Sequence, residues 1–104
     1  RALGLALTGD PVPAEKAEQW GLIWKCLDDE ELDSEVDGIA EKLASLPPLG
    51  LAAIKSMIRE SWSHTLEEEL HRQRDAMRRL GYTEDYREGV AAFLEKRPPN
   101  FVGR

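Results

Sequence analysis

The sequence predicts an all-α fold with at most one short strand. Three observations carry this expectation. Apolar residues recur at three- and four-residue spacing, the period of one helix face, along most of the chain. Glycines and paired prolines cut that pattern into short pieces. Only one run, Leu22 to Leu27, has the β-branched and aromatic character of a strand.

Taken in order, residues 1–7 read as the end of a helix, stopped by the turn Thr8-Gly9-Asp10-Pro11. A helix over Ala14–Trp20 follows. Pro13 suits a first turn, where its missing N–H would have had no partner, Glu15 offsets the helix dipole, and Gly21 is placed to cap the end. Leu22 to Leu27 is too short for a helix and is expected as a strand or extended segment, with Leu22, Trp24 and Cys26 on one face. Asp28 and Glu31 predict a capping box for a helix in which Leu32, Val36, Ile39, Ala40, Leu43 and Leu46 draw one stripe, ended by Pro47-Pro48. Leu51, Ile54, Ile58 and Trp62 mark the next helix. Thr65 with Glu68 predicts another capping box. Leu66, Leu70, Met77 and Leu80 form the stripe behind it, interrupted at its centre by Gln73 and stopped at Gly81. Thr83 caps a last helix whose Tyr86, Val90 and Phe93 point one way. Pro98-Pro99 ends it, leaving a tail anchored at most by Phe101.

A single strand cannot satisfy its own backbone groups, so residues 22–27 would need another chain or further sequence to pair with. A two-turn helix scarcely holds itself together in water. The chain also starts at Arg1 inside a helical pattern. The expectation is a piece of a longer polypeptide.

Composition narrows the function classes. At 104 residues the chain is long enough for one modest core, burying about 60–70% of its extended surface. It is 41% apolar and 33% charged, and the longest run without a formal charge, Leu43 to Ile54, falls short of a bilayer span. One cysteine rules out an internal disulfide framework and suits a reducing compartment. No charged-then-apolar leader is visible, so the expected location is the cytoplasm. The net charge of −6 hides an asymmetry: residues 1–70 carry −9 and residues 71–104 carry +3. The basic cluster comprises Arg72, Arg74, Arg78, Arg79, Arg87, Lys96, Arg97 and Arg104. An acidic body repels nucleic acid, while the basic end is suited either to a compact anion such as a nucleotide phosphate or to a solvated face with local ion pairs, for example Asp75 with Arg78 and Arg79. Neither nucleic acid nor membrane is the expected partner.

No complete catalytic constellation is visible. His64 and His71 bracket Glu67 and Glu68 but lack an HExxH spacing, so surface histidines are expected and no metal site. Cys26 stands in an apolar alternation without a nearby histidine, the pattern of an inert thiol. Ser61 and Ser63 lack a nucleophile elbow, and the acidic runs Asp28–Glu31 and Glu67–Glu69 sit near helix starts. From the residues alone the chain is a helical association module.

Two stretches carry a family resemblance. One is Leu7-Thr8-Gly9-Asp10 followed by Ala14-Glu15-Lys16-Ala17 and Gly21-Leu22-Ile23. The other is Glu88-Gly89-Val90-Ala91-Ala92-Phe93-Leu94-Glu95-Lys96-Arg97-Pro98, ending in Phe101. With Pro47-Pro48 and Lys55 between them, they resemble the C-terminal part of the enoyl-CoA hydratase/isomerase (crotonase) family over essentially all of residues 1–104.

The resemblance implies a split fold. Residues 1–27 would be the tail of an acyl-CoA-binding ββα spiral core that is otherwise absent, and residues 28–104 a helical part that mediates trimerisation, often as paired trimers. The catalytic carboxylates and the oxyanion-hole glycine of the family lie in that core, so no catalytic residue is expected here and the chain alone is expected to be inactive. The parent is expected to isomerise a ring-epoxide or enoyl acyl-CoA, with the coenzyme A thioester as substrate and no further cofactor.

By the same resemblance, Lys96 reaches the phosphate-bearing adenosine end of CoA on a neighbouring subunit. Met77 aligns near a residue that packs by the adenine, while its place in the Leu66–Leu70–Leu80 stripe favours core packing over that role. Gly89 inside a helix costs about 1 kcal/mol against alanine, which points to close packing there. Pro13 replaces the serine or threonine common in relatives at that cap. The alternative, from a different class, is a free-standing helical interaction module with no ligand.

Overall fold

The computed structural model describes residues 1–104 and contains helices and turns but no strand. The helices are α1 (Ala2–Thr8), α2 (Ala14–Gln19), α3 (Asp29–Ala44), α4 (Pro48–Glu60), α5 (Leu66–Leu80) and α6 (Glu84–Glu95), with a 3-10 turn at Ser61–Ser63. Two compact units are present, 1–37 and 38–104. No helix is long and apolar enough to cross a membrane.

In the first unit, α1 stops at Gly9, whose N–H donates to the Leu5 carbonyl at 2.9 Å. Pro13 is the residue before α2 and offers no side-chain cap. After α2 the chain turns through Gly21 at φ +73°, a conformation glycine enters without steric cost. The Gly21 N–H donates to the Glu18 carbonyl and the Leu22 N–H to the Ala17 carbonyl, both at 2.8 Å. The expected strand at 22–27 does not form. Residues 21–24 turn and bend, and residues 25–28 are irregular. A strand needs a neighbour to take its backbone groups, and none is present. Trp24 is accordingly exposed, while the Lys25 ammonium pairs with Glu35 at 2.7 Å. At the start of α3 the Glu31 N–H donates to the Asp28 main-chain carbonyl at 3.0 Å.

The second unit is organised by the α4–α5 hairpin. Pro47 and Pro48 end one helix pattern and start the next, with Pro48 in the first turn of α4. The Thr65 capping box forms as expected. The Glu68 N–H donates to Thr65 Oγ1 at 3.3 Å, and the Thr65 N–H donates to Glu68 Oε2 at 2.8 Å. Thr83 caps α6 by accepting the Tyr86 N–H at 3.1 Å. Gly81 ends α5 but keeps right-handed dihedrals, with its N–H donating to the Met77 carbonyl at 2.9 Å.

Which face of each helix turns inward differs from expectation. The only apolar residues fully buried are Ala53, Ala76 and Ala92, and Asp85 is buried beside them at 4% exposure. The seam between α4 and α5 is built from Ala53, Met57 and Glu60 on one side and Arg72, Ala76 and Arg79 on the other. The stripes read from the sequence face outward: Ile54 and Ile58 on α4, Leu66, Leu70 and Met77 on α5, Tyr86, Val90 and Phe93 on α6. Trp62, expected on the α4 stripe, lies in the 3-10 turn beyond it and is 94% exposed. Small residues let two helices approach closely without large side chains between them, and that frees the large ones for the outside.

Candidate functional site

The last twenty residues are tied together by side-chain and main-chain hydrogen bonds between α6 and the tail. The chain leaves α6 at Lys96, the one non-glycine residue in the left-handed region, at φ 54° and ψ 40°. Its N–H donates to the Phe93 carbonyl at 3.4 Å, and the Arg97 N–H reaches back to the Ala92 carbonyl at 3.0 Å. This is the usual glycine position of a helix end, occupied by lysine. The tail then folds back along α6. The Glu88 carboxylate accepts both Arg97 guanidinium nitrogens, at 2.6 and 2.9 Å, and the Asn100 N–H at 2.8 Å. One turn earlier, Asp85 accepts the Val102 N–H at 2.7 Å and the Gly103 N–H at 3.0 Å, while its own N–H donates to the Arg104 carbonyl at 3.1 Å. Phe101 therefore is not the sole anchor expected of it: two carboxylates fasten the tail as well. Its ring lies over Gly89, where an added Cβ would meet it at an ordinary 3.6 Å, so sterics alone do not demand glycine there.

The electrostatics follow from these contacts. The Arg97 guanidinium and then the Asn100 N–H hold the Glu88 carboxyl down to about 2, and the Glu88 and Glu95 carboxylates push Arg97 further up. Arg97 also donates to Glu95 at 2.6 Å. Of the other basic residues in this third of the chain, Arg72 pairs with Glu60 and Glu69, and Arg104 with Glu84. Asp75 pairs with its neighbour Arg74 at 2.9 Å rather than with the expected Arg78 or Arg79. Lys96 takes part in no ion pair. Lys96 is exposed, and the carboxylate of the preceding residue, Glu95, is held by Arg97.

Beside the tail runs an apolar groove of about 500 Å³, walled by Leu49, Leu80, Tyr86, Val90, Phe93 and Phe101 among others. Neither Lys96 nor Met77 lines it. Met77 stands on the outer side of α5 at 74% exposure, so it does not fill a core position in this chain. No pocket lining, hydrogen bond or ion pair brings Met77 and Lys96 together.

The remaining candidates carry less chemistry. His64 is half-buried rather than a surface histidine, with Nδ1 3.8 Å from Glu69 Oε2, and His71 is exposed. No group of three or more histidine, cysteine or acidic side chains is placed to hold a metal. Burial, followed by the nearby Glu15, Glu18 and Asp28 charges, pushes the Cys26 thiol up, which disfavours the thiolate a nucleophile needs.

Sequence reasoning missed the Asp85–Glu88–Arg97 fastening. Glu88 and Arg97 are nine residues apart, beyond the reach of helical neighbours, and only a reversal of the chain after Lys96 brings them together. The Pro98-Pro99 pair was the available signal for that reversal.

Comparison with known proteins places this arrangement in context. Residues 1–104 match the enoyl-CoA hydratase/isomerase family. The chain is 46% identical over its full length to the 1,2-epoxyphenylacetyl-CoA isomerase of Escherichia coli strain K12. It is 39% identical to a probable enoyl-CoA hydratase of Rhodobacter capsulatus. In both cases it spans 40% of the relative's length. Among solved structures, the enoyl-CoA hydratase from Bacillus anthracis superposes with a TM-score of 0.94 at 32% identity, covering all of this chain and 40% of that one. The part matched is the C-terminal helical part of the crotonase fold.

Proposed function

The chain belongs to the enoyl-CoA hydratase/isomerase family, and from that premise we propose that it serves as the oligomerisation and CoA-edge segment of an acyl-CoA isomerase. Residues 28–104 form the helical oligomerisation part and residues 1–27 the tail of the acyl-CoA-binding core. The outward stripes of α4, α5 and α6 meet other subunits of a trimer, or of a hexamer of paired trimers. Lys96 contacts the phosphate-bearing adenosine end of a CoA thioester held by a neighbouring subunit, and Met77 packs by the adenine. The reaction is isomerisation of a ring-epoxide or enoyl acyl-CoA, most like that of 2-(1,2-epoxy-1,2-dihydrophenyl)acetyl-CoA isomerase, in cytoplasmic phenylacetate degradation.

The observation that supports this reading is the inside-out distribution of apolar side chains. Phe93 is 83% exposed while only alanines are buried among the apolar residues. Exposed apolar surface of that extent is what an interface would cover. Chemistry at the thioester requires paired donors aimed at its carbonyl oxygen, and no residue here is arranged to supply them. The segment therefore contributes binding and assembly, and is inactive without the core.

The test is CoA binding to the intact enzyme, measured by calorimetry for the wild type and Lys96→Ala. Loss of one charge-assisted phosphate contact is expected to weaken binding about tenfold. Unchanged affinity would remove the ligand role and leave an association module without ligand.

A further inference from the structure

We infer that His64, Glu69 and Arg72 form a proton-operated latch at the α4–α5 corner, which tightens when the His64 imidazole takes up its second proton and loosens when that proton leaves. Three buried polar atoms meet there without a hydrogen bond: His64 Nδ1, Glu69 Oε2 and Arg72 Nε. Glu69 Oε2 is common to both approaches, 3.8 Å from His64 Nδ1 and 3.6 Å from Arg72 Nε. Both gaps are within ion-pair range and just beyond hydrogen-bonding distance, so a shift of about 1 Å makes each bond. A buried polar atom left without a partner is costly, which favours that shift once a donor is on offer.

His64 closes the 3-10 turn that follows α4, and Glu69 and Arg72 stand three residues apart on one face of α5. Arg72 also pairs with Glu60, the last residue of α4, whose other carboxylate oxygen accepts the Ser56 hydroxyl at 2.6 Å. The contacts thus run from α4 through Glu60 and Arg72 to Glu69, and stop at His64. Around the imidazole stand Glu60 of α4 and Glu68, Glu69 and Arg72 of α5, while the turn itself carries no titratable side chain. Two of these carboxylates are already committed. The Ser56 hydroxyl and then Arg72 hold the Glu60 carboxyl below the usual carboxylate range, and the Thr65 main-chain N–H and then its hydroxyl do the same for Glu68. Three carboxylates against one guanidinium leave a negative surrounding, with Glu69 Oε2 the acceptor still unmatched. A neutral imidazole has one proton, which either nitrogen can hold; the imidazolium always offers an Nδ1–H and adds a charge. Protonation therefore turns the 3.8 Å approach into a charge-assisted hydrogen bond. The corner also carries Trp62 and Leu66, 94% and 77% exposed, so the latch sets how firmly this apolar edge is held.

The latch contributes in acid, where the imidazole is charged, and its contribution is lost as the pH rises. The experiment measures amide hydrogen exchange of the intact protein at about pH 5.5 and about pH 8, on either side of an imidazole's ordinary titration. After correction for the intrinsic exchange rate, protection of residues 64–72 is expected to fall about fivefold from the lower pH to the higher, the upper end for a partly exposed ion pair. His64→Gln and Glu69→Gln are each expected to abolish this step. His71→Gln, at the exposed histidine outside the latch, is expected to keep it. His64→Lys, charged at both pH values, is expected to hold protection near the acid level throughout. A wild type without the step overturns the inference, and so does a step that survives in His64→Gln or in Glu69→Gln. Should His64→Gln not fold, Glu69→Gln and His64→Lys decide: a step remaining in either refutes the latch.

Discussion

Replacing Asp85 by asparagine isolates the fastening of the tail. Both carboxylate oxygens accept main-chain N–H groups, from Val102 at 2.7 Å and Gly103 at 3.0 Å, and the residue is 4% exposed. The amide keeps the shape but can accept at only one position, so its NH2 must face one of the two N–H donors. A bond to an ionised acceptor contributes about 1.5–3 kcal/mol, and leaving a buried donor without a partner costs about 1–3 kcal/mol. The two figures describe the same lost bond, so tail docking should weaken by about 2–3 kcal/mol, or about 30- to 150-fold in its opening equilibrium. Amide hydrogen exchange in the intact protein reads this directly. The Val102 and Gly103 amides are expected to lose that factor of protection, while the amides of Ala53 and Ala76 in the α4–α5 seam keep theirs. Protection of Val102 and Gly103 within threefold of the wild type would show that Asp85 does not hold the tail.

Two further outcomes bear on the same region. Lys96→Gly should stabilise the protein by about 1 kcal/mol, because glycine enters the left-handed conformation without the penalty a lysine meets there, while CoA affinity falls as in the alanine variant; chemical denaturation of the intact protein checks the first half, and a loss of stability would refute it. The Glu88 carboxyl, held to about 2 against an ordinary 4.5, is depressed in the folded state, so its contribution is fully present above about pH 4.5 and fades as pH falls through 2. Exchange protection of the Asn100 amide, which donates to Glu88, should decay across that window in the wild type and show no such step in Glu88→Gln.

Local features of the fold were legible because they depend on short-range chemistry. The Thr65–Glu68 box, the Thr83 cap, the Gly9 and Gly21 stops and the Pro48 start are set by residues within four positions of one another. The helix faces were legible as stripes, but their direction was not. Periodicity shows that Leu66, Leu70 and Met77 share a side of α5, and says nothing about whether this chain supplies what covers it. The inward side of α5 is instead marked by Arg72 and Ala76, and that of α6 by Asp85, Glu88 and Ala92, residues a hydrophobicity pattern ignores. Leu22 to Leu27 failed for a related reason: strand character was present, but a strand is a property of two segments and only one is here. Of the candidate site, Lys96 was accessible through its motif, whereas its left-handed backbone and the commitment of Arg97 to two carboxylates arise from a chain reversal that no local pattern encodes.

The tail is fastened to α6 by carboxylates as well as by apolar contact. In the tail, Phe101 packs over Gly89 and walls one groove together with Tyr86, Val90 and Phe93, while Val102 is exposed. The main-chain N–H groups of Val102 and Gly103 lie in a partly dry seam, where each needs an acceptor. Asp85 and Glu88 supply acceptors one turn apart on the inward side of the helix, and Gly103 at φ +81° lets the chain pass Pro48, where a Cβ would come within 3.0 Å of its ring. The same arrangement leaves Tyr86, Val90 and Phe93 outside, free to line a groove that nothing in this chain fills. Holding the tail and offering an apolar face are thus two uses of one short helix, on neighbouring faces that meet at Gly89 and Phe101. Because Asp85 and Glu88 act on one strap, loss of either exposes the other to water, and their combined removal should cost less than the sum of the two alone.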